Sequence, residues 1–169
     1  HGGHPRPGRL VGAVIDVAVV GCGAIGRVVA GALHAGEVPG ARLAGVVDPR
    51  GAGGLPLLPL DEALDSAGLV VEAAGQRALA ATGPPVVASG KDLLAVSVGA
   101  LTDPALLRRL RDAGPGAVHL TTGAVGGLDL LRSAARMAPL DRVRIVTTKR
   151  PAALVQPWMD EDEAARLRT

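Results

Sequence analysis

The sequence predicts an α/β fold built on a doubly wound parallel sheet, and three observations support this. Short apolar, β-branched runs alternate along the chain with segments of helical character, as in βαβ units. The first run, 17–20, stops at a glycine-rich turn that leads at once into a helix-compatible segment. Hydrophobic residues make up 48% of the chain, with one Trp and no Phe or Tyr, so the core is expected to be aliphatic.

The glycine turn after the first strand has the form G-x-G-x-x-G, with Gly21, Gly23 and Gly26 at the fixed positions. This pattern indicates a Rossmann-type dinucleotide site when a strand precedes it and a helix follows it, as predicted here. Gly21 allows the tight turn, Gly23 lets a pyrophosphate approach the backbone, and Gly26 allows close packing of helix and strand. Ala24 and Ile25 complete the phosphate loop at the N-terminus of the predicted helix 24–34, where anions are favoured.

Asp48 follows the predicted second strand, 41–47, and lies 22 residues after Gly26. A ribose-binding carboxylate is expected roughly 20 residues after the turn, which favours NAD. Arg50 is close enough to contact a 2′-phosphate, so NADP stays open, and an exposed turn residue is the alternative for Asp48. Cys22 is expected to be a small packed side chain beside the cofactor.

The elements after Asp48 are predicted from apolar runs, breakers and caps. In chain order they are a short helix from Asp61, strand 69–75, helix 76–82 ended by Pro84-Pro85, strand 86–88, strand 93–99, helix 105–113 capped by Asp103, strand 117–120, the half-buried strand 142–148 and a weakly helical acidic stretch, 160–166.

Strand ends in such a sheet face the ligand crevice. Ala73, Ala74 and Ser97 are therefore expected beside the cofactor, whereas Glu72 either faces the site or caps a neighbouring helix. His119, inside a strand, is expected to be packed.

A second glycine-rich strand-to-helix turn runs through 121–129. Its N–H groups suit a carboxylate or the nicotinamide end of a cofactor, with turn geometry alone as the alternative. Thr122, Gly123 and Gly126 are the predicted substrate-binding residues.

Composition excludes several classes of function. The net charge of +2, carried by scattered Arg without aromatic partners, argues against nucleic acid. A single Cys excludes an internal disulfide, a metal site is not expected, and a cytoplasmic location follows. No apolar run approaches the length of a membrane span. A signal-peptide interpretation of Arg6 to Cys22 is the weaker alternative, because Asp16 interrupts the apolar run.

Five stretches together resemble the L-aspartate dehydrogenase family, in the same order. They are Val19–Gly26, Val70–Ala74, Leu93–Leu101, Gly123–Asp129 and Thr147–Pro151.

The resemblance implies a homodimer that oxidises the small molecule L-aspartate to iminoaspartate with NAD or NADP. The product gives oxaloacetate and ammonia or feeds NAD biosynthesis. Gly21, Gly23, Ala24, Ile25 and Gly26 match the family's pyrophosphate loop. Ala124 matches a cofactor-contacting alanine, and the stretch from Glu72 to Ala74 matches the strand end beside the nicotinamide.

Two departures limit the transfer of roles. Lys149-Arg150-Pro151 stands where the family has Arg-Lys-Pro, and the family's catalytic histidine has no match before Thr169. The catalytic residue is therefore unknown, and the chain is a fragment, an ordered subset or a truncated product.

The predicted division is a disordered tail over 1–14, a Rossmann domain over 15–120, and the beginning of an incomplete, smaller α/β (α+β) substrate and dimerisation domain over 121–169. Alternatives are a non-catalytic dinucleotide-binding module and a dehydrogenase of another small substrate, such as homoserine.

Overall fold

The computed structural model describes residues 14–123, 125–146, 148–151, 154–155 and 159–168. The chain divides into two compact units, His1–Gly126 and Gly127–Thr169. The predicted tail lies outside the described residues except for Val14.

The first unit contains a five-stranded parallel sheet with the strand order β2-β1-β3-β4-β5. The strands are β1 Ile15–Val20, β2 Ala41–Val47, β3 Leu69–Glu72, β4 Asp92–Ala95 and β5 Val118–Leu120. The strand order reverses at β1, which pairs with β2 on one side and β3 on the other. In open parallel sheets such a reversal creates a crevice outside the carboxyl ends of the two strands.

Helices cover both faces of this sheet, because β1 alternates its buried side chains between two cores. Val17 and Val19 belong to one buried cluster, together with Ala30 in the helix Ala24–His34. Ala18 and Val20 belong to the other, together with Leu79 in the helix Gln76–Ala88. This period of two along a strand buried on both faces confirms the predicted doubly wound α/β class. The helices are α1 Ala24–His34, α2 Leu60–Ser66, α3 Gln76–Ala88 and α4 Pro104–Asp112.

The predicted strand 86–88 is wrong, because α3 continues through Pro84 and Pro85 to Ala88. Proline in a helix interior removes one backbone hydrogen bond and clashes with the preceding turn. Burial offsets this cost: Val86 and Val87, at 0% and 1% exposure, pack in the same core as Leu79. Gly83 leaves room for this packing, since a Cβ there would lie 3.0 Å from Leu110.

The predicted strand 93–99 is too long at its C-terminal end. β4 ends at Ala95, and a 3₁₀ helix, Val98–Thr102, follows. The parallel ladder stops here because the Ser97 N–H donates to the Glu72 carboxylate, at 3.2 Å, instead of to a strand carbonyl. The predicted cap of α4 is confirmed, with Asp103 accepting from the Ala105 N–H at 2.8 Å.

The second unit contains α5 Leu128–Met137 and α6 Glu161–Arg168, so the helical character of the acidic stretch is confirmed. The predicted strand 142–148 is wrong for its described residues, 142–146 and 148, which form no ladder. Val143, Ile145 and Val146 are 49%, 62% and 74% exposed. Alternation predicts a strand only where a neighbouring strand supplies hydrogen bonds and a buried face. Within the described residues, no helix is long and apolar enough to cross a membrane.

Candidate functional site

The turn from β1 into α1 is built around three glycines that have different steric surroundings. Gly21 has a φ of +97°, and a Cβ there would lie 2.7 Å from the Cα of Ala74. A Cβ at Gly26 would overlap the carbonyl oxygen of Gly21. For Gly23, in contrast, no described residue other than its chain neighbours has an atom within 4 Å of the position a Cβ would take. Gly21 and Gly26 thus serve the packing of the turn, while Gly23 leaves open space at the helix N-terminus.

A cleft of about 430 Å³ opens at this turn. It is lined by Cys22, Gly23, Ala24, Arg27, Asp48, Arg50 and Gly51. Ala24 and Ile25 lie in the exposed first turn of α1, where the first backbone N–H groups of a helix have no partner within it. These N–H groups and the helix dipole suit a phosphate, so the residues present fit the pyrophosphate of a dinucleotide.

Asp48 forms one wall of the cleft and is buried, its side chain only 3% exposed. Its Oδ2 accepts from the Cys22 N–H at 2.7 Å, and its Oδ1 accepts from the Arg50 N–H at 2.8 Å. The Arg50 guanidinium donates to both oxygens, from Nε and Nη2, each at 3.2 Å. Hydrogen bonds from the Arg50 side chain, then from the Cys22 and Arg50 N–H groups, hold the pKa of Asp48 well below its ordinary value.

These four hydrogen bonds fill the acceptor capacity of the Asp48 carboxylate. The sequence predicts Asp48 as a site residue, and the structure has it beside the glycine turn in the cleft. The sequence does not show that all the acceptor positions of its carboxylate are already filled. Asp48 joins the glycine turn to the turn after β2, and Arg50 covers it with a guanidinium whose side chain is 77% exposed.

Cys22 is buried, as predicted, at 6% exposure. Its backbone N–H binds Asp48, and its thiol donates to the Ala52 carbonyl over 3.5 Å. Cys22 therefore contributes packing and a backbone donor to the wall of the cleft.

Ala73, Ala74 and Ser97 gather at the carboxyl ends of β3 and β4, on the other side of β1 from Asp48. Ala74 is exposed and lies against Gly21. Ser97 binds the buried carboxylate of Glu72, which also accepts from the Ala74 and Gly75 N–H groups. Of the two roles left open for Glu72, the structure shows it turned inward, binding the backbone that enters α3. The sequence signal for this role is an acidic residue that ends a buried strand and precedes Ala-Ala-Gly.

Thr122, Gly123 and Gly126 follow the edge strand β5, and all three are exposed. They do not line the 430 Å³ cleft. Gly123 has a φ of +61°, a backbone conformation that favours glycine. Ala124 lies outside the described residues.

The prediction that His119 is packed is wrong, because its side chain is 56% exposed. β5 is an edge strand, and its last two residues are both exposed. The His119 Nε2 lies 3.8 Å from a carboxylate oxygen of Asp92, also a half-exposed side chain.

Comparison with known proteins agrees with this geometry. The chain is 35% identical over 154 residues to an L-aspartate dehydrogenase of Methanothermobacter thermautotrophicus, covering 82% of this chain and 58% of that protein. It is 37% identical over 159 residues to the L-aspartate dehydrogenase of Pseudomonas aeruginosa, covering 83% and 57%. The chain thus spans somewhat over half the length of these curated relatives. The resemblance to L-aspartate dehydrogenases is confirmed.

The fold also matches a solved aspartate dehydrogenase from Thermotoga maritima, with a TM-score of 0.53 and 22% identity, covering 70% of this chain and 50% of that one. A family model described as "homoserine dehydrogenase, NAD binding domain" matches residues 21–119, from the first glycine of the turn to the end of the sheet. The match confirms the predicted cofactor class, a nicotinamide dinucleotide. Since the match covers more than half of the 169 residues, the chain belongs to the family of homoserine dehydrogenase NAD-binding domains.

Proposed function

We propose that this chain is the cofactor-binding part of an NAD(P)-dependent L-aspartate dehydrogenase. The observation that carries the proposal is the open space at Gly23, beside the N-terminus of α1 and above the buried carboxylate of Asp48. The relatives named L-aspartate dehydrogenase support the choice of substrate. When bound, the oxidised nicotinamide would accept the hydride from the Cα of L-aspartate, and loss of a proton from the amine would give iminoaspartate.

The glycine turn binds the pyrophosphate in this proposal. Gly23, Ala24 and Ile25 present backbone N–H groups at the start of α1, and the helix dipole favours the phosphate charge. Gly21 and Gly26 hold the turn in shape, as their steric surroundings require. No side chain at position 23 stands between the backbone and the phosphates.

Asp48, Arg50 and Arg27 determine which dinucleotide binds in the cleft they share. We place the adenosine ribose beside Asp48, whose acceptor positions are filled by the Cys22 N–H and by Arg50. The two arginines leave the cleft with a net positive charge, which suits a 2′-phosphate. The proposal is therefore that both dinucleotides bind and that NADP(H) binds more tightly.

The other predicted site residues are assigned by position. Ala73, Ala74 and Ser97 lie at the nicotinamide side of the crevice. We assign Thr122, Gly123 and Gly126 to the substrate and, by the family resemblance, Ala124 to the cofactor. Residues 15–120 are assigned to a Rossmann domain and residues 121–169 to a substrate and dimerisation domain. We further propose that the protein is a cytoplasmic homodimer and that its product feeds NAD biosynthesis.

The test is dinucleotide reduction by the purified 169-residue chain, followed at 340 nm with L-aspartate or L-homoserine, alongside NADPH binding. Reduction that depends on L-aspartate supports the proposal, and reduction with L-homoserine alone would replace the substrate. NADPH binding without turnover supports dinucleotide binding alone, which is the function of the second candidate, a non-catalytic dinucleotide-binding module. Absence of both binding and turnover contradicts the proposed function.

A further inference from the structure

Glu72 is a fully buried acidic residue, with 0% of its surface exposed. It ends β3, beside the point where the strand order reverses. A buried carboxylate is costly unless surrounding donors compensate for the lost water. The donors around Glu72 therefore indicate what the fold gains from it.

Four hydrogen bonds reach the Glu72 carboxylate from two separate segments. Oε1 accepts from the Ala74 N–H at 2.8 Å and from the Gly75 N–H at 3.0 Å, which lie at the entry to α3. Ser97, just after β4, donates its hydroxyl to Oε1 at 2.9 Å and its N–H to Oε2 at 3.2 Å. The Gly75 N–H is shared, since it also donates to the Ser97 Oγ at 3.0 Å. These contacts form a closed network, here named the Glu72–Ser97 network.

The network is connected to the glycine turn through Ala74. The Ala73 N–H donates to the carbonyl of Val20, the last residue of β1, at 2.8 Å. Ala74 also packs closely on Gly21, since a Cβ added at Gly21 would lie 2.7 Å from the Ala74 Cα. Ala74 and Gly75 are themselves exposed, although the carboxylate beneath them is buried. The network thus fixes an exposed strip of backbone at the edge of the crevice.

A dinucleotide extends across such a crevice from one side of the strand-order reversal to the other. Asp48 follows β2 and occupies the adenosine side, and the N-terminus of α1 lies between. The opposite side consists of the carboxyl ends of β3 and β4, where the strip lies.

We propose that Glu72 is a positioning residue for the nicotinamide half of the dinucleotide, acting through Ser97 and the backbone of Ala74 and Gly75. This inference rests on the proposed dinucleotide binding. Glu72 does not touch the cofactor; its carboxylate holds the strip in one conformation before the ligand arrives, which lowers the ordering cost of binding.

The test compares NADH with ADP-ribose, which lacks the nicotinamide ring but keeps the ribose that carries it, on the full 169-residue chain. Glu72→Gln keeps the side-chain volume but replaces one carboxylate oxygen with an amide NH₂ group. This group faces an N–H donor and cannot accept its hydrogen bond. Ser97→Ala removes the hydroxyl link and tests the same network if Glu72→Gln does not fold. In both variants the NADH dissociation constant should rise roughly tenfold, while that of ADP-ribose stays within about twofold. Nicotinamide fluorescence reports NADH binding, and calorimetry reports ADP-ribose binding.

Asp103→Ala is the control, because it removes the N-cap of α4 and destabilises the fold without altering the strip. It should leave the ratio of NADH to ADP-ribose affinity unchanged. The double variant Glu72→Gln/Ser97→Ala should be hardly weaker than either single variant, since both changes break one network.

Equal weakening of both ligands, or no weakening of NADH, overturns the positioning role while leaving the proposed function intact. Failure of the wild-type chain to bind either ligand overturns the proposed function and this inference together.

Discussion

Individual glycines in the turn after β1 have separable roles. Apart from its chain neighbours, no residue in the described part of the chain comes within 4 Å of a Cβ at Gly23, so alanine there fills the space where a phosphate would lie. We expect Gly23→Ala to weaken NADPH binding at least about tenfold while lowering the free energy of unfolding by less than about 1 kcal/mol. Fluorescence titration and urea denaturation measure the two effects.

Gly31→Ala is the matched control, since that glycine lies inside α1 and, outside its own helix, no described residue comes within 4 Å of the position a Cβ would take. It should leave NADPH binding unchanged and stabilise the helix by about 0.5–1 kcal/mol. Unchanged NADPH binding by Gly23→Ala would show that no phosphate lies at the turn.

Asp48 gives the fold a defined dependence on pH. Its pKa lies below the ordinary value of 3.8 because Arg50 and the Cys22 N–H bind the carboxylate. The unfolded chain therefore binds more protons than the folded chain below about pH 5, and stability falls as the pH falls. The contribution of Asp48 to the free energy of unfolding is complete above its ordinary pKa and is lost progressively as the pH falls below it.

Urea denaturation of the wild type and of Asp48→Asn at a series of pH values checks this dependence. We expect the free energy of unfolding of the wild type to fall more steeply between about pH 5 and pH 3 than that of the variant. Asp61→Asn, which also removes one acidic side chain, in the first turn of α2, controls for the change in net charge. Parallel curves for wild type and Asp48→Asn would contradict the role given to the Arg50 contact.

Arg50 and Arg27 should control the choice between the two dinucleotides. We expect Arg50→Ala to raise the dissociation constant of NADPH roughly tenfold. NADH affinity should hold or improve, because loss of the guanidinium opens two acceptor positions of Asp48 to ribose hydroxyls. Arg42→Ala is the control, since Arg42 pairs with Asp16 and does not line the cleft. Equal losses for NADPH and NADH would contradict a 2′-phosphate site.

Two segments of the chain show where rules based on local sequence fail to predict secondary structure. Pro84-Pro85 is a strong helix-breaking signal, yet α3 passes through both residues because Val86 and Val87 gain burial in the core. The alternation over 142–146 has no strand partner among the described residues and forms no strand. Contacts with distant parts of the chain decide whether each segment forms a helix or a strand, and a short stretch of sequence does not show these contacts.

Val86 tests the helical extension of α3. Val86→Ala should lower the free energy of unfolding by about 2 kcal/mol, because it leaves a cavity beneath a side chain with 0% exposure. Val28→Ala, on the exposed face of α1 at 70% exposure, should change it by less than about 0.5 kcal/mol. Equal, small effects of the two substitutions would show that the end of α3 does not pack as described.

For the molecule as a whole, the sequence predicts the doubly wound sheet and the position of the cleft well. The glycine turn and Asp48 are recognisable because each obeys a local requirement: a tight turn in one case and a fixed distance along a βαβ unit in the other. The contacts of Glu72 and Arg50 are not predictable in this way. They depend on which strand ends the strand order brings together, and on which donors remain unpaired there.

The central claim is that the cleft at Gly23 binds a nicotinamide dinucleotide, and one titration tests it most directly. NADPH fluorescence is followed as the 169-residue chain is added, in parallel with Gly23→Ala. We expect saturable binding to the wild type, with a dissociation constant of roughly 1 μM to 1 mM, and much weaker binding to the variant. No binding to the wild type, or equal binding to both proteins, would contradict it.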